Sequence, residues 1–170
     1  YYLRIFPRLM GINFGKHNNF IIEKSRQYGR LFNNNHDNGL AAYHFGVQYE
    51  WGIVVDQSYQ DAAAWYAKSA KLGNTEALKA LEKAADQGHA DAQYKLGVMF
   101  YKGRGVKQNY TQAIKWFENA ANQGHIDAQY NLGEAYFLGA VYNKGEDYKA
   151  KAFRWYFRAA KQKHADAQYK

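Results

Sequence analysis

Histidine and aspartate recur together along this chain. His89, His125 and His164 are each followed two residues later by an acid, Asp91, Asp127 and Asp166. Imidazole nitrogens and carboxylate oxygens are zinc ligands, and facing carboxylates perform general acid–base chemistry. The spacing argues against both. Ligands to one zinc ion must lie within about 2.1 Å of it, whereas equivalent positions on packed helices stand roughly 8–10 Å apart. Residues repeated along a rod do not converge on one ion or one substrate. The histidines read instead as local caps at helix starts, and the aspartates as first-turn acids facing the positive end of the helix. No G-x-S-x-G, H-E-x-x-H or P-loop pattern is present. The expectation is a protein that is not an enzyme and holds neither metal nor cofactor.

The elements that carry these residues are themselves copies. Ala92-Gln93-Tyr94-Lys95-Leu96-Gly97 returns 36 positions later as Ala128-Gln129-Tyr130-Asn131-Leu132-Gly133. Trp116, Ala120 and Ala121 return as Trp155, Ala159 and Ala160, displaced by 39 because three extra residues fall around 141–147. An earlier copy lies 51 positions before the Ala92 copy: Ala41, Tyr43, Gly46, Tyr59, Ala62, Trp65, Ala70 and Gly73 match Ala92, Tyr94, Gly97, Tyr110, Ala113, Trp116, Ala121 and Gly124. From Ala77 to Ala92 there are only 15 positions, and the intervening stretch reads as the second half of a repeat without its first half. The units are therefore 41–76, a half unit 77–91, 92–127, 128–166, and a truncated copy from 167.

Within one unit the periodicity is helical. Ala92, Leu96, Gly97 and Phe100 share one face. Gly103 and Gly105 stop that helix. Asn109, with Gln112 three residues on, caps a second helix, and Ser58 with Asp61 does the same in the first copy. Ala113, Trp116, Phe117, Ala120 and Ala121 form its apolar stripe, and Gly124 ends it. Each unit is a helical hairpin that is apolar on both sides and must stack on its neighbours. The half unit is expected to disturb the alternation of first and second helices.

The pattern A-x-x-x-L-G-x-x-Y/F-x-x-G-x-G-V-x-x-x-Y-x-x-A-x-x-W-x-x-x-A-A-x-x-G resembles the Sel1-like repeat, a relative of the tetratricopeptide repeat, over 39–170. The resemblance implies an all-α fold, an αα-hairpin solenoid wound as a right-handed superhelix. It implies a scaffold or adaptor for other proteins, of a kind frequent in bacteria. By the related repeats, the concave face is lined by first-helix positions: Tyr43, Val47, Glu50 and Trp51 in the first copy, Tyr94, Val98, Tyr101 and Lys102 in the next, and Tyr130, Glu134, Phe137 and Leu138 in the third. A tyrosine ladder of this kind can hold a partner peptide or helix through aromatic anchors with polar tips, or can simply pack against the neighbouring repeat. Trp65, Trp116 and Trp155 are expected between helices.

Residues 1–38 do not match the repeat. A helix over 19–32, with Phe20, Lys24, Tyr28, Leu31 and Phe32 on one face, suits a cap over the first unit. The chain has no cysteine, which excludes disulfides and thiolate metal sites. No apolar run approaches the roughly 20 residues of a membrane span. The net charge of +8 sits at the ends: residues 1–39 hold six Lys/Arg against two acids, 40–143 nine against ten, and 144–170 eight against three. Nucleic-acid binding, which favours a continuous basic stripe, is the weaker alternative, and a hydrolase weaker still. A basic C-terminal region favours an acidic protein partner. No Met opens the chain and a copy is cut short at its end, so a fragment of a longer protein lacking its true N-terminus is expected, which leaves the compartment open.

Overall fold

The computed structural model describes residues 38–52, 55–139 and 146–162. The expected helix at 19–32, His164 with Asp166, and the truncated copy lie outside them. Among the described residues there are seven helices and no strand: α1 Gly39–Trp51, α2 Tyr59–Lys71, α3 Thr75–Asp86, α4 Ala90–Lys102, α5 Tyr110–Asn122, α6 Ile126–Gly139 and α7 Glu146–Lys161.

Local chemistry sets the helix ends. Ser58 Oγ accepts from the Asp61 N–H at 3.1 Å, and Asn109 Oδ1 from the Gln112 N–H at 3.1 Å. These satisfy donors that would otherwise be orphaned at the helix start. At the other end, Gly103 adopts φ 64°, a left-handed conformation that spares a side chain its steric cost.

Three antiparallel pairs form the hairpins α1–α2, α4–α5 and α6–α7, and α5 packs on α6 to stack the second and third. α3 stands between hairpins as a lone helix, and α2 packs against both α3 and α4. α3 thus stands between α2 and α4 in the order of the helices. Its composition is a hybrid. Asn74 caps it and Ala77 is fully buried, as at the start of a first helix. Its C-terminal Ala85 carbonyl accepts from Gln93, as the second-helix Ala121 carbonyl does from Gln129.

Two cores result. One gathers Ala62, Tyr66, Ala70, Ala77, Leu81, Leu96 and Met99 from α2, α3 and α4. The other gathers Ala113, Phe117, Ala121, Leu132, Tyr136 and Tyr156 from α5, α6 and α7. Phe100 packs against both.

Glycine lets the helices of a hairpin meet. A Cβ placed on Gly46 would lie 2.5 Å from Tyr66, on Gly97 2.5 Å from Phe117, and on Gly133 2.8 Å from Tyr156. In every hairpin an aromatic ring of the second helix rests on the bare backbone of the first. Buried glutamines tie successive units. Gln93 Nε2 donates to Ala85 O at 3.0 Å, while its Oε1 accepts from Gln123 Nε2 at 2.8 Å. Gln129 repeats this with Ala121 O at 3.1 Å and Gln162 Nε2 at 3.0 Å.

Candidate partner-binding face

The tyrosine ladder turns inward. Tyr43 meets Tyr66 with ring centroids 5.7 Å apart, Tyr94 meets Phe117 at 6.1 Å, and Tyr130 meets Tyr156 at 5.8 Å. Each half-buried first-helix tyrosine thus covers the aromatic residue seated on the glycine of its own hairpin. Tyr94 is further enclosed at the junction with the next unit: His125 stacks on it at 4.5 Å and Asn131 Nδ2 donates to its hydroxyl at 3.4 Å. Burial, then the Asp127 carboxylate, raises its pKa above the ordinary tyrosine value.

His125 also explains its own recurrence. Its Nδ1 accepts from the Ala128 N–H at 3.2 Å, and its Nε2 lies 3.4 Å from Asp91 of the preceding unit. A neutral ring protonated on Nε2 satisfies both contacts. His89 departs from the capping expectation: it occupies the cap position without a side-chain cap bond and stacks on Tyr59 at 4.2 Å. The exposed ring of Tyr59 supplies that alternative partner. Among the described residues no three His, Asp or Glu side chains gather as metal ligands.

The remaining face residues divide by exposure. Val47 and Val98 are half-buried against the cores. Glu50 accepts a hydrogen bond from the Tyr66 hydroxyl, and Glu134 one from Tyr156 at 2.5 Å. Burial first, then the bonded carboxylate, pushes both tyrosines far above their ordinary pKa. The exposed members cluster at the last turns of the first helices: Trp51 at 47%, Lys102, and Phe137 at 46%, with Tyr101 and Leu138 half-buried beside them.

Tyr101 and Leu138 are brought together across hairpins. They line a cavity of about 540 Å³ with Tyr110, Ile114, Tyr136 and Tyr148, and Lys151 is the charged residue in its wall. Tyr101 and Tyr110 meet edge-to-face at 5.5 Å, and Tyr136 and Tyr148 at 5.3 Å. Burial, then the Glu134 carboxylate and then Tyr110, raise the Tyr101 pKa. The second-helix half of this wall is invisible to a reading confined to first-helix positions. The available signal was Gln108-Asn109-Tyr110, echoed by Gln57-Ser58-Tyr59. Each glutamine donates both to a first-helix carbonyl and to the tyrosine hydroxyl, at 2.8 and 3.0 Å for Gln57 and 2.8 and 2.9 Å for Gln108.

The expected tryptophans lie at the hairpin seams, half-buried. Trp65 meets Phe45 at 4.9 Å, and Lys68, Lys115 and Arg158 cover Trp65, Trp116 and Trp155 respectively. Among the described residues no helix is long and apolar enough to cross a membrane.

The repeats match a known family. The family model described as Sel1 repeat matches residues 39–74, 75–89, 90–125 and 126–164. Among solved structures, a Sel1 repeat protein from Oxalobacter formigenes is 28% identical, with 80% of this chain and 89% of that one covered and a TM-score of 0.45. The protective antigen c5321 of uropathogenic Escherichia coli strains, displaying an SLR fold, is 32% identical with a TM-score of 0.49. That alignment covers 85% of this chain and 34% of the antigen, so the chain spans about a third of its length. Comparison with curated proteins gives no match. With four repeat matches covering most of its length, the chain belongs to the Sel1 repeat family, an all-α helical-repeat fold that is typically non-enzymatic and whose repeats generally mediate protein–protein interaction.

Proposed function

We propose that this chain is a non-enzymatic interaction scaffold that binds a peptide or helix of a partner protein along its first-helix face. The observation that supports this reading is the apolar surface at the last turns of the first helices, where Trp51 and Phe137 are exposed and Tyr101 and Leu138 half-buried, Trp51 matching Leu138 and Tyr101 matching Phe137 from repeat to repeat. Side chains of this type supply contact area at little conformational cost. Tyr43, Tyr94 and Tyr130 contribute ring edges but chiefly hold the hairpins together, so they are poor probes of binding.

The test is photo-cross-linking from a reporter residue replacing Lys102, in native extract, followed by competition with unlabelled protein. Phe137→Ser and Trp51→Ser competitors are expected to lose most of their blocking power while keeping the circular dichroism of the parent. Full competition by the double variant would remove this face from the reading. RNA or DNA recovered in place of protein, and lost as salt is raised, would favour the nucleic-acid alternative.

A further inference from the structure

The cavity between the second and third hairpins has walls of unlike character. Two edge-to-face tyrosine pairs, Tyr101–Tyr110 and Tyr136–Tyr148, enclose it with Ile114 and Leu138. Its volume of about 540 Å³ lies within the range of ligand pockets, roughly 300–1,000 Å³. Lys151 brings the charge. Its Nζ lies 5.6 Å from the centroids of both Tyr136 and Tyr148 and 2.7 Å from Asp147 Oδ2. That ion pair is solvent-facing, with side chains 42% and 71% exposed. Such pairs are weak and easily exchanged. The helix behind it is basic: α7 carries Lys149, Lys151, Arg154, Arg158 and Lys161 against Glu146 and Asp147.

We propose that this cavity is an anchor site for a partner segment presenting an aromatic or branched apolar side chain next to a carboxylate. The apolar group enters among the four tyrosines, Ile114 and Leu138. The carboxylate takes the Lys151 ammonium from Asp147, and the basic α7 surface favours the approach of an acidic segment. Tyrosine walls suit an aromatic guest because rings pair edge-to-face as readily with it as with one another. The cavity spans two hairpins, so an occupant would also staple the α4–α5 unit to the α6–α7 unit. This assignment rests on the scaffold reading above and gives it a ligand chemistry.

The test uses three probes of one shape on the full chain: phenylacetate, phenylacetamide and phenethylamine, titrated at low salt and followed by two-dimensional NMR of the Ile114 and Leu138 methyls and the tyrosine rings. Phenylacetate is expected to shift these resonances and to bind about two- to fivefold tighter than the amide, the range an exposed ion pair supports. In Lys151→Gln the two affinities should converge, while Lys149→Gln should keep the difference. Ile114→Trp, which fills the cavity, should abolish the shifts for all probes. Equal or tighter binding of the amine, shifts scattered away from the cavity, or no binding by any probe would overturn the proposal. Cross-linking at the Phe137 and Trp51 face is scored separately. A silent cavity with a competed cross-link leaves the scaffold standing, and a filled cavity with no cross-link removes the scaffold alone.

Discussion

Gly97 and Phe117 occupy one space: a methyl group on the glycine would stand 2.5 Å from the phenylalanine ring, across the α4–α5 hairpin. Phe117 is fully buried and has nowhere to retreat. Gly97→Ala gains about 1 kcal/mol of helix propensity but overpacks the core at about 1–3 kcal/mol. We expect a net loss, read as a lower urea midpoint. Adding Phe117→Leu should recover part of it. A stabilised single variant would refute the packing account.

The same logic applies to a polar contact. Gln93 is 5% exposed and holds both the Ala85 carbonyl and Gln123. Gln93→Leu removes both side-chain bonds while the Gly88 N–H stays on that carbonyl at 3.0 Å, so each lost bond costs about 0.5–1.5 kcal/mol. Gln123→Ala, at an exposed position, should cost less than half as much. Equilibrium unfolding of the two variants side by side decides it.

Much of this was legible beforehand because the repeat imposes it. Ser58 and Asn109 cap as their positions demand, and Gly103 takes the left-handed conformation at the stop. The face residues were less legible. Spacing shows which side of the helix Tyr94 occupies but not that His125, at the junction with the next unit, roofs it. His89 and His125 stand at equivalent positions, yet one meets Tyr59 and the other Tyr94, since the lone α3 precedes the first and not the second. The cavity wall depends on how α5 and α7 seat beside α4 and α6, which is long-range packing and leaves only the Gln108–Tyr110 echo in the sequence.

The half unit offers a direct test of the repeat logic. Deleting residues 75–89 shortens the Ala41-to-Ala92 spacing from 51 positions to 36, the regular period. α2 already touches α4, so the junction has a contact to build on. We expect a folded, all-helical chain that lacks one helix by far-UV circular dichroism. It should unfold at lower urea, because Ala77, Leu81 and Ala85 leave the first core. Loss of cooperative unfolding would show that α3 is indispensable rather than inserted.

Alkaline pH should unfold the protein earlier than its composition suggests. Tyr66, Tyr136 and Tyr156 are buried and donate to Glu50, Glu118 and Glu134, and burial first, then the bonded carboxylate, raises each above the ordinary value near 10. Folded pKa above unfolded pKa means full stability below about pH 10 and a loss above it, where the unfolded chain releases protons the folded one retains. Each such tyrosine lowers stability by about 1.4 kcal/mol per pH unit in that window. Urea midpoints between pH 8 and 11 should fall steeply beyond 10, and Tyr156→Phe should flatten the fall. An unchanged slope in that variant would contradict the assignment.

Phe100 touches both cores, and contacts of this kind along α4 bear on how the molecule comes apart. Stacked units exchange stability only with their neighbours, so the α2–α4 cluster and the α5–α7 cluster are two links joined in series. One ring helps decide whether they melt as one event or as two. A weakened joint would leave each cluster its own transition temperature, and fraying at either end of the chain would then stop at α4 instead of running through it.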